Sequence, residues 1–367
     1  MTATVTTELG SVLRTVADYH EAARMRLDPV HYDFFAGGAG DEITLRANES
    51  SLGRLRLLPR VLRGSDTRDL GVTLLGHRAS LPILLSPTAF HRLAHPDGEL
   101  ATARAAAAAG AIMIVSMAAT TAVEEVVAAA RSAVPAGDPT LWFQLYLQTD
   151  PAVTEALVRR AERAGVRALV VTVDSAVLGR RERDDRHGFH DLPAGLRVEN
   201  LRGLLGDEPG HVRQIAMSAE FSWADIDRLR SMTSLPVLLK GVLHPADALL
   251  AVEHGVAGLL VSNHGGRQLD SVPATVDALP GIVAAVDGAI PLIMDGGVRR
   301  GTDVAKAIAL GATAVGVGRP VLWGLTVGGE AGVRGVLDLL RTEFDHTLAL
   351  CGAAAPAELT ADQVRTY

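Results

Sequence analysis

The chain has 367 residues, 48% of them hydrophobic and 21% charged, and a formal net charge of −7 at pH 7. That length suits one large α/β domain or two ordinary ones, the apolar share excludes a disordered chain, and the negative balance argues against a nucleic-acid or anionic-membrane partner. The lone cysteine, Cys351, excludes an internal disulfide and suits a reducing compartment.

The opening stretch, MTATVTTELG, has neither the basic start nor the apolar run of a secretory signal, so a cytoplasmic location is expected. Residues 1–80 read as an N-terminal cap, with a helix over about 11–26 and then the compact element YDFFAGGAGDEITLRAN. Eight short runs rich in Val, Ile and Leu follow: 81–87, 111–116, 141–146, 168–174, 236–241, 258–263, 291–297 and 314–320. Strands apolar on both faces belong to a parallel sheet covered by helices. Helical patterns lie between them, as at 150–165, 245–255 and 301–311, and several close on Gly. Eight strand–helix units predict an α/β fold of the TIM (β/α)8 type over 81–350. An open doubly wound sheet fits less well, because no glycine-rich dinucleotide turn follows the first strand. The uncharged window 105–123 reaches membrane length, but Gly110, Ser116, Thr120 and Thr121 make it a helix end, a turn and a buried strand. Residues 175–235, with RRERDDRHGFHDLP, read as a polar lid inserted over the barrel mouth. About 185–220 shows no apolar anchor, so no membrane attachment is expected.

Reactive groups of such barrels collect at the C-terminal strand ends. Taken in order, those ends offer Ser86, Pro87, Thr88 and Ala89, then Ser116, then Gln144 and Tyr146, then Thr172 and Asp174, then Lys240. The sixth offers Ser262, His264 and Arg267, the seventh Asp295, Gly296, Gly297 and Arg299, and the eighth Gly318 and Arg319. DGGVRRG and GVGRP place glycines and arginines after the last two strands, where backbone N–H groups and a guanidinium can grip a phosphate. Lys240 closes a buried run, so it needs an anionic partner or a depressed pKa. In SNHGGRQLD, 262–270, His264 offers a base and Arg267 a planar fork for a carboxylate. With Asp174 to orient the imidazole, the set suits chemistry at a carbon next to a carboxylate. No metal site is expected.

SNHGGRQLD closely resembles the active-site signature of the FMN-dependent 2-hydroxy-acid oxidases and dehydrogenases, which include glycolate oxidase, lactate oxidase and mandelate dehydrogenase. The resemblance extends through SPTAFHRLAHPDGELATARAA, WFQLYLQTD, LVVTVDSAVLGRRERD, LPVLLKGV, DGGVRRGTDV and VGRPVLWGL. It implies a TIM barrel holding FMN, a small-molecule 2-hydroxy acid and a homotetramer. It implies His264 as base with Asp174 behind it, Arg267 and Arg181 as the carboxylate clamp, and Tyr146 as a hydroxyl near the substrate. It assigns Pro87, Thr88, Ala89, Ser116, Gln144, Thr172, Lys240 and Ser262 to the flavin ring and ribityl chain. Asp295, Gly296, Gly297, Arg299, Gly318 and Arg319 fall to the ribityl and phosphate site.

Three positions depart from the common pattern. Phe34 stands where many members carry a tyrosine, a feature that resembles 4-hydroxymandelate oxidases. Ala118 stands where glycolate oxidases carry Trp, which opens room for a larger side chain. Ser86 stands where oxidases usually carry Ala and dehydrogenases often Gly, near the flavin edge that meets oxygen. The expected reaction is oxidation of an (S)-2-hydroxy acid of the mandelate or 4-hydroxymandelate type to the 2-oxo acid, with O2 as acceptor and H2O2 released. The alternatives are a glycolate- or lactate-like substrate, another electron acceptor, or an FMN-dependent isomerase.

Overall fold

Eight parallel strands close into a barrel: β1 (Ile83–Leu85), β2 (Met113–Ser116), β3 (Leu141–Leu145), β4 (Leu169–Thr172), β5 (Val237–Val242), β6 (Gly258–Val261), β7 (Leu292–Asp295) and β8 (Ala314–Val317). They pair in chain order, and β8 returns to β1 with Leu85 opposite Val317. The computed structural model describes residues 13–64, 66–204, 215 and 218–366. Every expected run supplies one strand.

The apolar runs have no polar alternation because both strand faces are buried. Leu84, Ile114, Trp142, Val170, Leu238, Leu260 and Ile293 fill the lumen as one cluster. Their neighbours in sequence, among them Leu85, Val115, Phe143, Val171 and Leu259, face outward onto the helices. An antiparallel hairpin, Val72–Leu74 with His77–Ala79, adds Leu74 and Ala79 to the lumen cluster. That stops the barrel at the end away from the reactive strand ends.

Among the described residues three helices precede the barrel: α1 (Val16–Arg26), α2 (Pro29–Ala36) and α3 (Ile43–Arg54). The first starts at 16 rather than 11, because Thr15 is its N-cap and forms a capping box with Asp18. Asp28 caps α2 and Pro29 takes its first turn. The barrel helices are α4 (Gly98–Ala108), α5 (Val123–Ala133), α6 (Pro151–Ala164), α9 (Pro245–Glu253), α10 (Thr275–Val286), α11 (Gly301–Ala309) and α12 (Arg319–Cys351), while α7 (Glu182–His187) and α8 (Trp223–Ser231) lie in the insertion after β4. α12 bends where Gly328 and Gly329 leave helical geometry. Among the described residues no helix is long and apolar enough to cross a membrane.

The insertion is more firmly held than its polar sequence suggests. Val198 and Leu201 are buried. The Asn200 side chain accepts from Val123 N at 2.9 Å and donates to the carbonyls of Ser116 and Met117. Its first part is therefore stapled to the end of β2. Residues 205–214 and 216–217 of the expected lid lie outside the described residues.

Candidate active site

The strand ends surround a cavity of about 580 Å³, within the range of about 300–1,000 Å³ that small-molecule and cofactor sites occupy. Its wall takes at least one residue from the end of each strand: Ser86 to Ala89, Ser116, Gln144 and Tyr146, Thr172, Lys240, His264 and Arg267, Asp295 to Arg299, and Gly316 to Arg319. Phe34 and Phe35 of α2 reach it, as do Ala118, Val177, Leu178, Arg181 and Ile215. Of the residues expected at the site, Ser262 and Asp174 do not form the wall. Ser262 is fully buried and its Oγ accepts from His264 N at 3.1 Å, which helps hold the turn and leaves its O–H to donate.

That turn answers to SNHGGRQLD. His264, Gly265 and Gly266 have φ of 58°, 64° and 74°, so the chain winds left-handed directly after β6. A Cβ on Gly266 would lie 2.6 Å from Leu45 N, and one on Gly265 would lie 2.8 Å from Arg319 Nη1. Asn263 and Asn48 of α3 exchange side-chain hydrogen bonds at 2.8 and 2.9 Å. Asp270 accepts from Ile43 N and Thr44 N at the start of α3. The stretch thus binds the helices before the barrel to the barrel mouth.

His264 Nδ1 lies 2.9 Å from Asp174 Oδ1. An ionised carboxylate only accepts, so Nδ1 carries the proton and Nε2 keeps its lone pair. Burial pushes the imidazole down from 6.5 and Lys240 adds to this, while Asp174 opposes it. Burial pushes Asp174 up, but His264, Lys240 and the hydrogen bonds from His264 and Ser175 outweigh it and hold the carboxyl at about 2. The pair is a neutral base backed by an ionised aspartate. Burial, with Asp174 beside it, pushes the Tyr146 phenol up, so its hydroxyl keeps its proton.

The cavity is rich in fixed cations. Arg267 Nη1 donates to the carbonyls of Phe34 and Gly37 at 2.6 and 3.0 Å, which leaves Nε and Nη2 without a protein partner among the described residues. Arg181 is held through Nε by Asp184 at 2.9 Å, so its Nη groups remain. Both guanidiniums lie over the Phe34 ring, 5.3 Å away for Arg181 and 5.0 Å for Arg267. Arg319 donates to the carbonyls of Phe35, Gly265 and Gly37, and Arg299 pairs with Glu49 at 2.9 Å. Burial, Arg181 and Arg319 press Arg267 well below its usual value. Burial and Arg299 bring Arg319 to about 10. Anions entering the cavity would relieve this crowding.

A polar row crosses the neighbouring strand ends. Ser116 Oγ donates to Gln144 Oε1 and Gln144 Nε2 to Thr172 Oγ1, each at 3.0 Å. Lys240, opposite Thr172 in the register, is buried and its Nζ has no hydrogen-bond partner among the described residues. Asp295 Oδ1 is another buried polar atom without one. Ser86 Oγ donates to Asp295 Oδ2 at 3.3 Å, so this hydroxyl lies among residues assigned to the ribityl and phosphate side. Orphaned buried groups of this kind mark a site built for a polar ligand.

Comparison with known proteins identifies that ligand. The family description for FMN-dependent dehydrogenases matches residues 23–366. The chain belongs to this family. The family's cofactor is FMN, and the orphaned Lys240 ammonium, the Ser116–Gln144–Thr172 row and the cations near Gly296, Gly297 and Gly318 fit a phosphorylated flavin. Among curated relatives, glycolate oxidase 5 of Oryza sativa subsp. japonica is 47% identical, with 96% of each chain covered. 2-Hydroxyacid oxidase 2 of Rattus norvegicus is 45% identical over 95% of this chain and 98% of its own. A crystal structure of mandelate oxidase with benzoyl-formic acid matches at a TM-score of 0.87 and 40% identity, covering 97% of this chain and 98% of that one.

Sequence reasoning missed the apolar wall of Phe90, Val177, Leu178 and Ile215, which carries no periodic signal. It also missed Ser175 and Gln268, which lie in quoted motifs but act through other residues.

Proposed function

We propose that the protein oxidises an (S)-2-hydroxy acid with an aromatic side chain, of the mandelate or 4-hydroxymandelate type, to the 2-oxo acid, and passes the electrons from FMN to O2 with release of H2O2. The observation that carries the substrate class is Phe34, stacked on Phe90 at 5.6 Å and lying under both guanidiniums, in a cavity that the small Ala118 also lines. An acid gripped by Arg181 and Arg267 puts its side chain onto that apolar surface.

Bound FMN supplies the two-electron acceptor. Ser116, Gln144, Thr172 and Lys240 would hold its ring, with Pro87, Thr88 and Ala89 along the same wall. Asp295, Gly296, Gly297, Arg299, Gly318 and Arg319 would hold its ribityl chain and phosphate. Arg267 and Arg181 bind the substrate carboxylate through their unused N–H groups. Tyr146 presents its protonated hydroxyl beside them. His264 Nε2 accepts a proton from the substrate, and Asp174 stabilises the resulting imidazolium across the 2.9 Å contact. Lys240 would set a fixed positive charge beside the ring, of the sign that offsets the electrons the ring takes up.

A second reading, a short-chain acid such as glycolate, is supported by the higher whole-chain identity to glycolate oxidases, 47% against 40% for the mandelate oxidase structure. Whole-chain identity counts every position, whereas the pocket side chains set specificity, so the aromatic reading is preferred. The test is bleaching of the flavin on anaerobic addition of mandelate, 4-hydroxymandelate, lactate or glycolate, followed by air and a peroxide assay. A larger kcat/KM for glycolate than for mandelate would overturn the substrate class.

A further inference from the structure

Behind Asp174 lies a second layer of hydrogen bonds that the proposed reaction does not use. Ser175 Oγ donates to Asp174 Oδ1 at 3.0 Å, the same oxygen that meets His264, while Asp174 Oδ2 is buried without a partner among the described residues. Gln268 Nε2 in turn donates to Ser175 Oγ. The direction of the chain follows: the ionised Asp174 carboxylate only accepts, so it takes the Ser175 proton, and the Ser175 oxygen accepts from Gln268. Gln268 is 8% exposed and spends both ends of its amide on the segment between Asp174 and Arg181. Its Oε1 accepts from Gly179 N at 2.6 Å, and its Nε2 also reaches the carbonyls of Asp174 and Val177 at 3.3 and 3.4 Å. The amide orientation follows from the partners, since Gly179 offers a donor and the carbonyls only accept. A Cβ on Gly179 would lie 2.6 Å from Gln268 Oε1, so the arm is packed directly onto this side chain.

We propose that Gln268 and Ser175 are positioning residues: Gln268 fastens the 174–181 arm that carries Arg181, and Ser175 fixes the Asp174 oxygen that orients His264. The roles of His264 and Arg181 in this proposal rest on the proposed oxidation of a hydroxy acid. Residues 264–268 then set base and clamp together. His264 and Arg267 come from the turn itself, and Asp174 and Arg181 are held at a fixed distance from it by Gln268. Lys240, Arg267, Arg181, Asp184 and Tyr146 also face this group; none of them is replaced in the substitutions that test it, and Ser175→Ala also removes a hydrogen bond to Tyr146.

The test uses FMN-loaded protein. Ser175→Ala removes a donor to Asp174 and leaves its charge to act more fully on His264. The 15N titration of the His264 imidazole, and with it the acid limb of kcat/KM, moves to higher pH by up to about one unit, the scale of a hydrogen bond to a charged group. Ser175→Thr restores the wild-type limb. Gln268→Met speeds amide hydrogen exchange within 174–181. It also weakens phenylacetate, a carboxylate that cannot be oxidised at a 2-hydroxyl, by about tenfold as read by flavin absorbance. If Gln268→Met does not accumulate as holoenzyme, Gln268→Glu replaces it: it keeps the Gly179 acceptor, and its charge raises the His264 limb. An unmoved imidazole titration in Ser175→Ala, or wild-type exchange and phenylacetate affinity in the Gln268 variant, overturns the proposal. Failure of the wild type to oxidise any hydroxy acid would sink the proposed function, while the titration and exchange results would still decide whether Gln268 and Ser175 position the arm and the aspartate.

Discussion

Arg267 donates to the backbone carbonyl of Phe34 at 2.6 Å while its guanidinium carbon lies 5.0 Å from the centroid of the same residue's ring. One residue of α2 thus anchors the cation and shapes the apolar surface beside it. Contacts of this kind contribute about 0.5–2 kcal/mol according to their desolvation. Phe34→Leu keeps the carbonyl and loses the ring. The KM for mandelate should rise about three- to tenfold with a smaller change in kcat, as measured by steady-state kinetics. An unchanged KM would separate the ring from substrate binding.

The base has a predictable pH signature. His264 must be neutral to accept a proton, and burial and Lys240 place its pKa below 6.5. kcat/KM should therefore rise with pH through a limb lying below 6.5 and be level at neutral pH. Asp174 is the group that pulls this pKa up, so Asp174→Asn should move the limb to lower pH. It should also cut kcat by about 10²–10⁴ through loss of general-base orientation. A limb displaced upward in Asp174→Asn would contradict the assignment.

Lys240 is buried with its Nζ unpaired among the described residues, which is costly unless a ligand acceptor meets it. Lys240→Met should weaken FMN and lower the flavin reduction potential, because the reduced form carries the charge the ammonium offsets. Equilibrium dialysis and a dye-coupled titration read the two effects. A potential at or above that of the wild type would rule out this role.

Ala118 is buried on the wall of the cavity that Phe34 also lines. Ala118→Trp should fill that space, lowering kcat/KM for mandelate by at least about tenfold relative to lactate, a loss of about 1.4 kcal/mol. The ratio of the two specificity constants is the measurement. If mandelate and lactate fall equally, the aromatic ring does not lie against residue 118.

The barrel was legible because a strand buried on both faces reads as an unbroken run of Val, Ile and Leu, and Leu84 in the lumen beside Leu85 on the outer face shows why. His264, Arg267 and Lys240 stood out because charge at the end of a buried run has to be explained. Ser262 drew notice for a related reason, as a polar residue at a strand end, and the closed fold adds a second use for its hydroxyl, which accepts from His264 N. Gln268 carried no signal of its own, since its importance lies in a partner 89 residues away at Gly179. Phe90 and Ile215 likewise gain their place on the wall only from the closed fold.

The reciprocal Asn48–Asn263 bond and the grip of Asp270 on α3 mean that the barrel mouth is completed by chain synthesised before the first strand. Truncation ahead of residue 81 would strip both guanidiniums of the Phe34 face and leave Asn263 and Asp270 without their partners. A barrel expressed without its leading helices should thus lose the catalytic turn before it loses the sheet.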